Sequence, residues 1–376
     1  METDLFSYPT PFTPPTTEED ELPVLRLIRS RRVGPTTFHR LIGEHGSAAA
    51  ALAALPEVAR AAGVADYTPC PEKQARAEIK AGKAAGARLL IHGGPGYPAA
   101  LAEIDDAPPV LWALGQLELL TRPMIALVGA RSASSLGLRM AKRLSEGLGA
   151  AGICVVSGLA RGIDAAAHEA ALPTGTIAVQ AGGIDVIYPQ ENTALAQQMA
   201  ETGLRLTEAP PGTQPQARHF PARNRIISGL SAGVVVVEAA LKSGSLITAR
   251  DALDQGREVM AVPGHPMDGR AGGCNALIRD GATLVRGSED VLAALNARAA
   301  PPEPRPAPNP PPTRRAVKSG DLGAKILERL GPSPTAEDQV IRDLDVPAAA
   351  FSQALTALEI EGRIERHRGG LISRPH

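Results

Sequence analysis

The sequence predicts an α/β protein: an extended Rossmann-like parallel sheet, preceded by a helical (SAM or helix-hairpin-helix-like) domain and followed by a winged-helix domain. Three observations carry that prediction. Short apolar runs alternate with longer helical segments from Arg88 to Ala297, glycine-rich turns end several of those runs, and a proline-rich stretch separates them from a compact tail.

Taken in order, residues 1–21 (METDLFSYPTPFTPPTTEEDE) are acidic and proline-rich and read as a disordered lead. They lack the positive start and apolar core of a signal peptide. Residues 22–87 are alanine-rich with a helical pattern and form the first domain. Within it, RSRRVGPTTFHRLIGEHGS reads as helix, Gly34-Pro35 turn and helix. Such a turn can present backbone N–H groups to a phosphate, and it is also what a plain helical connection shows; a single turn favours the plain connection.

Residues 88–297 hold the strand-like runs MIALVGA, ICVVSG, TIAVQA, LRLTEA, GVVVVEAA, EVMAVPG and ATLVRG. Helical segments such as SLGLRMAKRLSEGLGAAG and SLITARDALDQG lie between them. That alternation implies a parallel sheet covered on both faces, whose ligands bind at the carboxyl ends of the strands. Residues 298–320 are a proline-rich tether. Residues 321–376 give three helices (DLGAKILERL, TAEDQVIRDL, PAAAFSQALTALEIEG) and a hairpin (RIERHRGGLISR), which make a winged helix.

The 376 residues carry a net charge of −1, so no overall field attracts a polyanion, and any such binding has to come from local arrangement. Cys70, Cys154 and Cys274 are odd in number and far apart, as free thiols in a reducing cytosol are, and no metal site is expected. No apolar run approaches the roughly 20 residues that span a bilayer. A cytoplasmic protein with no membrane partner is expected.

The chain lacks GxxxxGK[ST], and its one GxGxxG match, GLGAAG at 147–152, closes a helical segment ahead of a strand instead of following a strand and opening a helix, so no dinucleotide or triphosphate cofactor is expected. Its glycine turns carry cations instead. VGARSASSLG places Gly129, Arg131 and Ser132 ahead of a helix, and VVSGLARGIDAAAH repeats the arrangement with Ser157, Gly158, Arg161 and Gly162. A helix starting near Ile163-Asp164 would add its dipole. Ser243-Gly244-Ser245 opens a further helix with more N–H and hydroxyl donors. Two basic glycine turns at neighbouring strand ends point to a phosphate site.

Between Glu208 and Glu238 there is no acid, while Arg218, Arg223 and Arg225 surround Phe220 in QARHFPARNRIISGLS. Arginine beside an exposed ring suits a single strand, with guanidinium on phosphate and ring against base. The alternative, open for each residue, puts Phe220 in the core and Arg223 or Arg225 against Glu238. Glu238 is expected to orient an arginine rather than act as an acid. Ser157, Asp164 and His168 invite a hydrolase reading, but there is no GxSxG elbow. His168, among alanines, reads as a packed, hydrogen-bonded histidine, and no catalytic residue is assigned.

Together with IDVIYP, GREVMAVPG and GGCNALIRDGA, these segments follow in order and spacing the signature of the DprA/Smf DNA-processing family, which Arg88–Leu295 resembles. The helical N-terminal domain and the winged-helix tail are similar to that family as well. The resemblance implies a homodimeric, single-stranded DNA-binding protein without established catalysis. It acts in natural transformation, protecting incoming strands and loading the RecA recombinase. On the matching positions it implies a phosphate-binding Arg131, then Ser157, Gly158 and Arg161 in SGxARG, and Phe220, Arg223, Asn224 and Arg225 in FPxRNR. Phosphates are expected across the strand ends on Arg131, Arg161 and Arg223, with Phe220 as a stacking platform. One turn departs from the family: LPTGT, before the third strand, is uncharged where many relatives carry a cation, and Arg218 is expected to substitute.

Two rivals belong to other classes. A nucleotide-cleaving, phosphoribohydrolase-like enzyme of the same sheet type would carry PGGxGTxxE, but AGG at 181–183 and 271–273 lacks the GTxxE that should follow. A transcription regulator would read bases through the winged helix. There, Glu337, Asp338, Asp343, Asp345, Glu359 and Glu361 outnumber Arg342, and AAAFSQALTALEIEG offers no arginine or lysine to a groove. The cations sit in the wing, at Arg363, Arg366 and Arg368.

Overall fold

The computed structural model describes residues 18–299, 319–330, 335–344, 346–367 and 370–374, and the chain divides into two compact units, Met1–Pro301 and Pro302–His376. Most of the expected lead and nearly all of the expected tether lie outside the described residues. The lead is shorter than expected, because the first helix already begins at Glu18.

Four helices open the first unit: α1 (Glu18–Ile28), α2 (Pro35–His45), α3 (Ala48–Ala61) and α4 (Glu72–Ala84). Gly34-Pro35 starts α2 with proline in the first turn, where the missing N–H costs nothing. Gly46, at φ 78°, ends α2 and donates to Ile42 O, a left-handed cap that suits glycine. Ser47 then caps α3 by accepting from Ala50 N. Leu25, Phe38, Leu41 and Leu55 form the core of this bundle, which also takes in Ile91 and Val110 from the sheet.

The sheet region follows as β1 (Arg88–Ile91), α5 (Ala99–Ala102), β2 (Val110–Gly115), β3 (Met124–Gly129), α6 (Ser135–Ala150), β4 (Cys154–Ser157), α7 (Ile163–Ala171) and β5 (Thr176–Val179). Then come α8 (Thr193–Thr202), β6 (Leu204–Thr207), α9 (His219–Leu230), β7 (Gly233–Glu238), α10 (Ser245–Asp254), β8 (Glu258–Ala261), α11 (Gly272–Arg279), β9 (Thr283–Leu284) and α12 (Ser288–Ala299). The strand order is β1-β2-β6-β5-β4-β3-β7-β8-β9. All seven expected strands, β3 to β9, pair in parallel. The sheet is mostly rather than wholly parallel, because β1 and β2 add an antiparallel edge, β2 joining β6.

Alternate residues of β3 serve opposite layers. Ala126 and Val128 face the core beneath α9 and α10, while Ile125 and Leu127 face α6 and α7. Both faces are covered, which is why the strand runs are apolar throughout. The three cysteines are free and buried. Among the described residues no helix is long and apolar enough to cross a membrane.

Trp112, the only tryptophan, is buried on β2 under α4. Its indole N–H donates to Glu78 Oε1 at 3.0 Å, and Glu78 in turn pairs with Arg29 at 2.9 Å. Gly82 lies directly against the indole, where a Cβ would collide with the ring. Gly82→Ala is therefore expected to destabilise the protein by about 1–3 kcal/mol through overpacking. Urea unfolding followed by Trp112 fluorescence measures this.

The second unit holds α13 (Ser319–Arg329), β10 (Thr335–Ala336), α14 (Glu337–Leu344), α15 (Ala348–Ile360), β11 (Glu365–His367) and β12 (Leu371–Ser373), with sheet order β10-β12-β11. Ile326, Phe351, Leu355 and Ile372 form its core, and the architecture is the expected winged helix. Of the wing cations, Arg366 faces Glu359 at 3.2 Å and Glu337 at 3.7 Å, and Arg363 faces Glu361 at 3.6 Å. Arg368 and Asp345 lie outside the described residues.

Candidate nucleic-acid interface

Strands β4, β3 and β7 are neighbours, so their carboxyl ends bring three loops together around an open cleft of about 770 Å³. Its walls include Gly129, Arg131 and Ser132 after β3, and Lys242, Ser243, Gly244 and Ser245 after β7. Phe220, Arg223, Asn224 and Ile227 of α9 form another side, with Asp164 and Arg270. The helical spacing of those four α9 residues puts one face of α9 on the cleft.

The turn after β4 is held in a strained shape. Leu159 has φ 55°, unusual for a branched side chain, and Gly162 has φ 75°. A Cβ on Gly162 would strike the carbonyl oxygens of Ala130 and Arg131, so glycine lets the two basic turns touch. Buried Asp164 and half-buried Asn192 fix the geometry. Asp164 accepts from Gly158 N at 3.1 Å and Ala160 N at 3.4 Å, and Asn192 Nδ2 donates to Leu159 O at 2.9 Å.

His168 completes that set. Thr176 Oγ1 donates its proton to Val155 O, so His168 Nδ1–H donates to Thr176 Oγ1 at 2.8 Å. Nε2 is then free to accept from Leu159 N at 3.4 Å. Only a neutral ring can do both, and burial, helped by the Arg223 charge, holds the His168 pKa down to about 3. The histidine is packed and hydrogen-bonded, as read from the sequence. Ser157 Oγ donates to Leu127 O at 2.6 Å, and both ring nitrogens of His168 are taken by Thr176 and Leu159 N, so His168 joins neither Ser157 nor Asp164 in a triad.

A pH effect follows. The unfolded ring, with a pKa of 6.5, takes a proton that the folded ring refuses until about 3. Stability is thus unaffected above about pH 6.5 and falls below it by up to about 1.4 kcal/mol per pH unit. His168→Gln should flatten the acid limb of a stability-against-pH curve relative to the wild type, measured by urea unfolding.

Several expected contacts need correction. Arg223 is buried, and its Nη1 donates to Gly158 O and Val179 O, each at 2.5 Å. Burial lowers its pKa to about 10, Asp164 opposing and Arg131 adding to the shift. It is therefore a brace for the β4 and β5 ends, not an arginine free to lie along a phosphate. Arg225 points away from the cleft, where it pairs with Glu208 at 2.6 Å and Asp106 at 3.2 Å. Ser157 is interior and donates to backbone, so it is not a cleft donor. Arg161 is exposed and faces Glu191 at 3.3 Å, and Arg218 is exposed with Nε directed to His219 Nε2 at 3.3 Å; neither lines the cleft.

Glu238 also differs from expectation. It accepts from Ser134 N at 2.9 Å and from Ser134 Oγ, while Ser134 Oγ accepts from Gly137 N at 3.0 Å. The carboxylate therefore seats the N-terminus of α6 rather than orienting an arginine. This fixes the loop that carries Arg131.

Phe220 is half-buried rather than freely exposed. The Arg131 guanidinium carbon lies over the ring at 5.0 Å from its centroid, and the Tyr188 ring stands 5.7 Å away on a tilt. Tyr188 is 50% exposed. Tyr188, Lys242 and Arg270 were not singled out from the sequence. Lys242 lies beside SGS and Tyr188 in IDVIYP, so each had a local cue, whereas Arg270 reaches the cleft only through the tertiary fold.

Comparison with known proteins places the chain among its relatives. The family model for DNA recombination-mediator protein A matches residues 88–296, flanked by the DprA-like N-terminal HHH domain at 18–81 and the DprA winged helix domain at 301–370. DNA processing protein DprA of Streptococcus pneumoniae is 49% identical over 199 residues, covering 52% of this chain and 70% of the relative. Protein Smf of Escherichia coli is 46% identical over 202 residues, covering 53% of this chain and 54% of that one. The solved structure of DprA from Streptococcus pneumoniae superposes with a TM-score of 0.62 at 37% identity, covering 74% of this chain and 98% of that one. DNA processing protein A from Helicobacter pylori, described for its single-stranded DNA binding mode, gives 0.52 at 30% identity, covering 56% and 96%. With its central model spanning more than half the chain, this protein belongs to the DNA recombination-mediator protein A (DprA/Smf) family.

Proposed function

We propose that the cleft binds the backbone of single-stranded DNA and that the protein, as a homodimer in the cytoplasm, loads RecA onto incoming strands during natural transformation without cutting them. One observation carries the DNA reading: Arg131 and Lys242, with Arg270 in an exposed pair with Asp268 at 2.9 Å, line one cleft together with Ser132 and Ser243, in a chain of net charge −1. The carboxylate in the wall, Asp164, is turned inward onto backbone N–H groups. Such a site suits phosphates, and the ring group of Arg131, Phe220 and Tyr188 suits unstacked bases. The relative from Helicobacter pylori, whose structure concerns single-stranded DNA, supports the same ligand.

RecA-catalysed strand exchange on DNA coated with single-strand-binding protein tests the mediator step. Wild-type protein should shorten the lag, and Arg131→Ala should not. An unchanged lag, or nicking of the DNA with Mg²⁺ present, contradicts the proposal.

A further inference from the structure

We propose that the groove between α6 and α7 is a second track for the DNA backbone, taking the phosphates of nucleotides that leave the cleft past Arg131. This rests on the reading of the cleft as a single-strand site. The groove, about 590 Å³, opens off the cleft, since Arg131 and Ser132 belong to the walls of both. Leu138, Ala165 and Ala166 make much of its wall apolar, Glu169 borders it from α7, and Ser135, Arg139 and Lys142 line it from α6. Their spacing of four and three residues stacks them on one helix face over about 10 Å. No acidic residue occurs between Glu118 and Glu146.

Arg139 is exposed and, among the described residues, makes no hydrogen bond or ion pair. Lys142 faces Glu169 at 3.1 Å, but both side chains are about half exposed, at 49% and 54%. An ion pair so placed is worth little in water and is readily exchanged for a phosphate. The groove thus offers an uncommitted guanidinium and an exchangeable ammonium in line with Arg131. A row of cations that continues from the cleft fits a continuing phosphate backbone.

The test compares wild-type protein with Arg139→Ala/Lys142→Ala, using oligothymidylates of about 6 and about 20 nucleotides, a range that brackets usual single-strand site sizes. Both residues are exposed, so the melting temperature should not move. For the long oligomer the variant should bind more weakly, with the slope of log K against log salt flattened by about 1.4, the share of two phosphates on a single strand. For the short oligomer affinity and slope should match the wild type. Equal binding of the long oligomer by both proteins overturns the track and leaves the cleft standing. Equal weakening at both lengths assigns the charges to the cleft's general field and also overturns the track. A wild type that binds neither oligomer overturns the cleft reading and the track with it.

Discussion

Replacing Arg223 by alanine is expected to cost about 3–5 kcal/mol of folding stability, the range for breaking a buried charge cluster from one side. The guanidinium holds the carbonyls of Gly158 and Val179, the last residues before two loops at the cleft. Without it, two carbonyls lose their donor and Asp164 loses its nearest opposing charge. Asp164 already has its pKa raised by burial, and Arg223 is the main group opposing that shift. Arg223→Lys should recover only part of the loss: one ammonium can donate to both oxygens as Nη1 does, but it leaves empty the space in which the guanidinium packs against Gly158. Urea unfolding of both variants measures the loss, and an Arg223→Ala protein within about 1 kcal/mol of the wild type would refute the brace.

Arg131→Ala should leave stability nearly unchanged and weaken single-strand binding by about 1.5–3 kcal/mol, roughly 10- to 100-fold. The side chain is exposed and rests on Phe220 rather than in a buried network. Its loss removes a phosphate contact, so the slope of log K against log salt should flatten by about 0.7. Phe220 would then present an uncovered face, which separates the two roles: base stacking can persist while the electrostatic part falls. Anisotropy titrations at several salt concentrations read both quantities, and an unchanged slope would remove Arg131 from the phosphate site.

The contrast between Arg131 and Arg223 shows where sequence reasoning stopped. The seven parallel strands were legible because each is an apolar run ended by glycine or a turn. The antiparallel β1–β2 edge was not, since RLLI spans four residues before HGGPG and its partner VLWALG lies beyond a further turn. Read as an exposed run, FPARNR offers every arginine to DNA. It is in fact the start of α9, where Arg223 and Arg225 are separated by about 200° of helix and cannot face one cleft. The periodicity that sorts them was present at Phe220, Arg223, Asn224 and Ile227, but the density of charge masked it. Arg270 left no local trace, because only the packing of α11 against β7 and β8 brings its loop to the cleft.

The central claim, a phosphate cleft for single strands, is tested most directly by equilibrium binding of the intact protein to a labelled oligothymidylate and to a duplex of equal length across a salt series. The account predicts preference for the single strand, little dependence on base sequence, and a log–log salt slope of about −0.7 for each phosphate held. A salt-independent affinity, or tighter binding of mononucleotides than of oligomers, would contradict it.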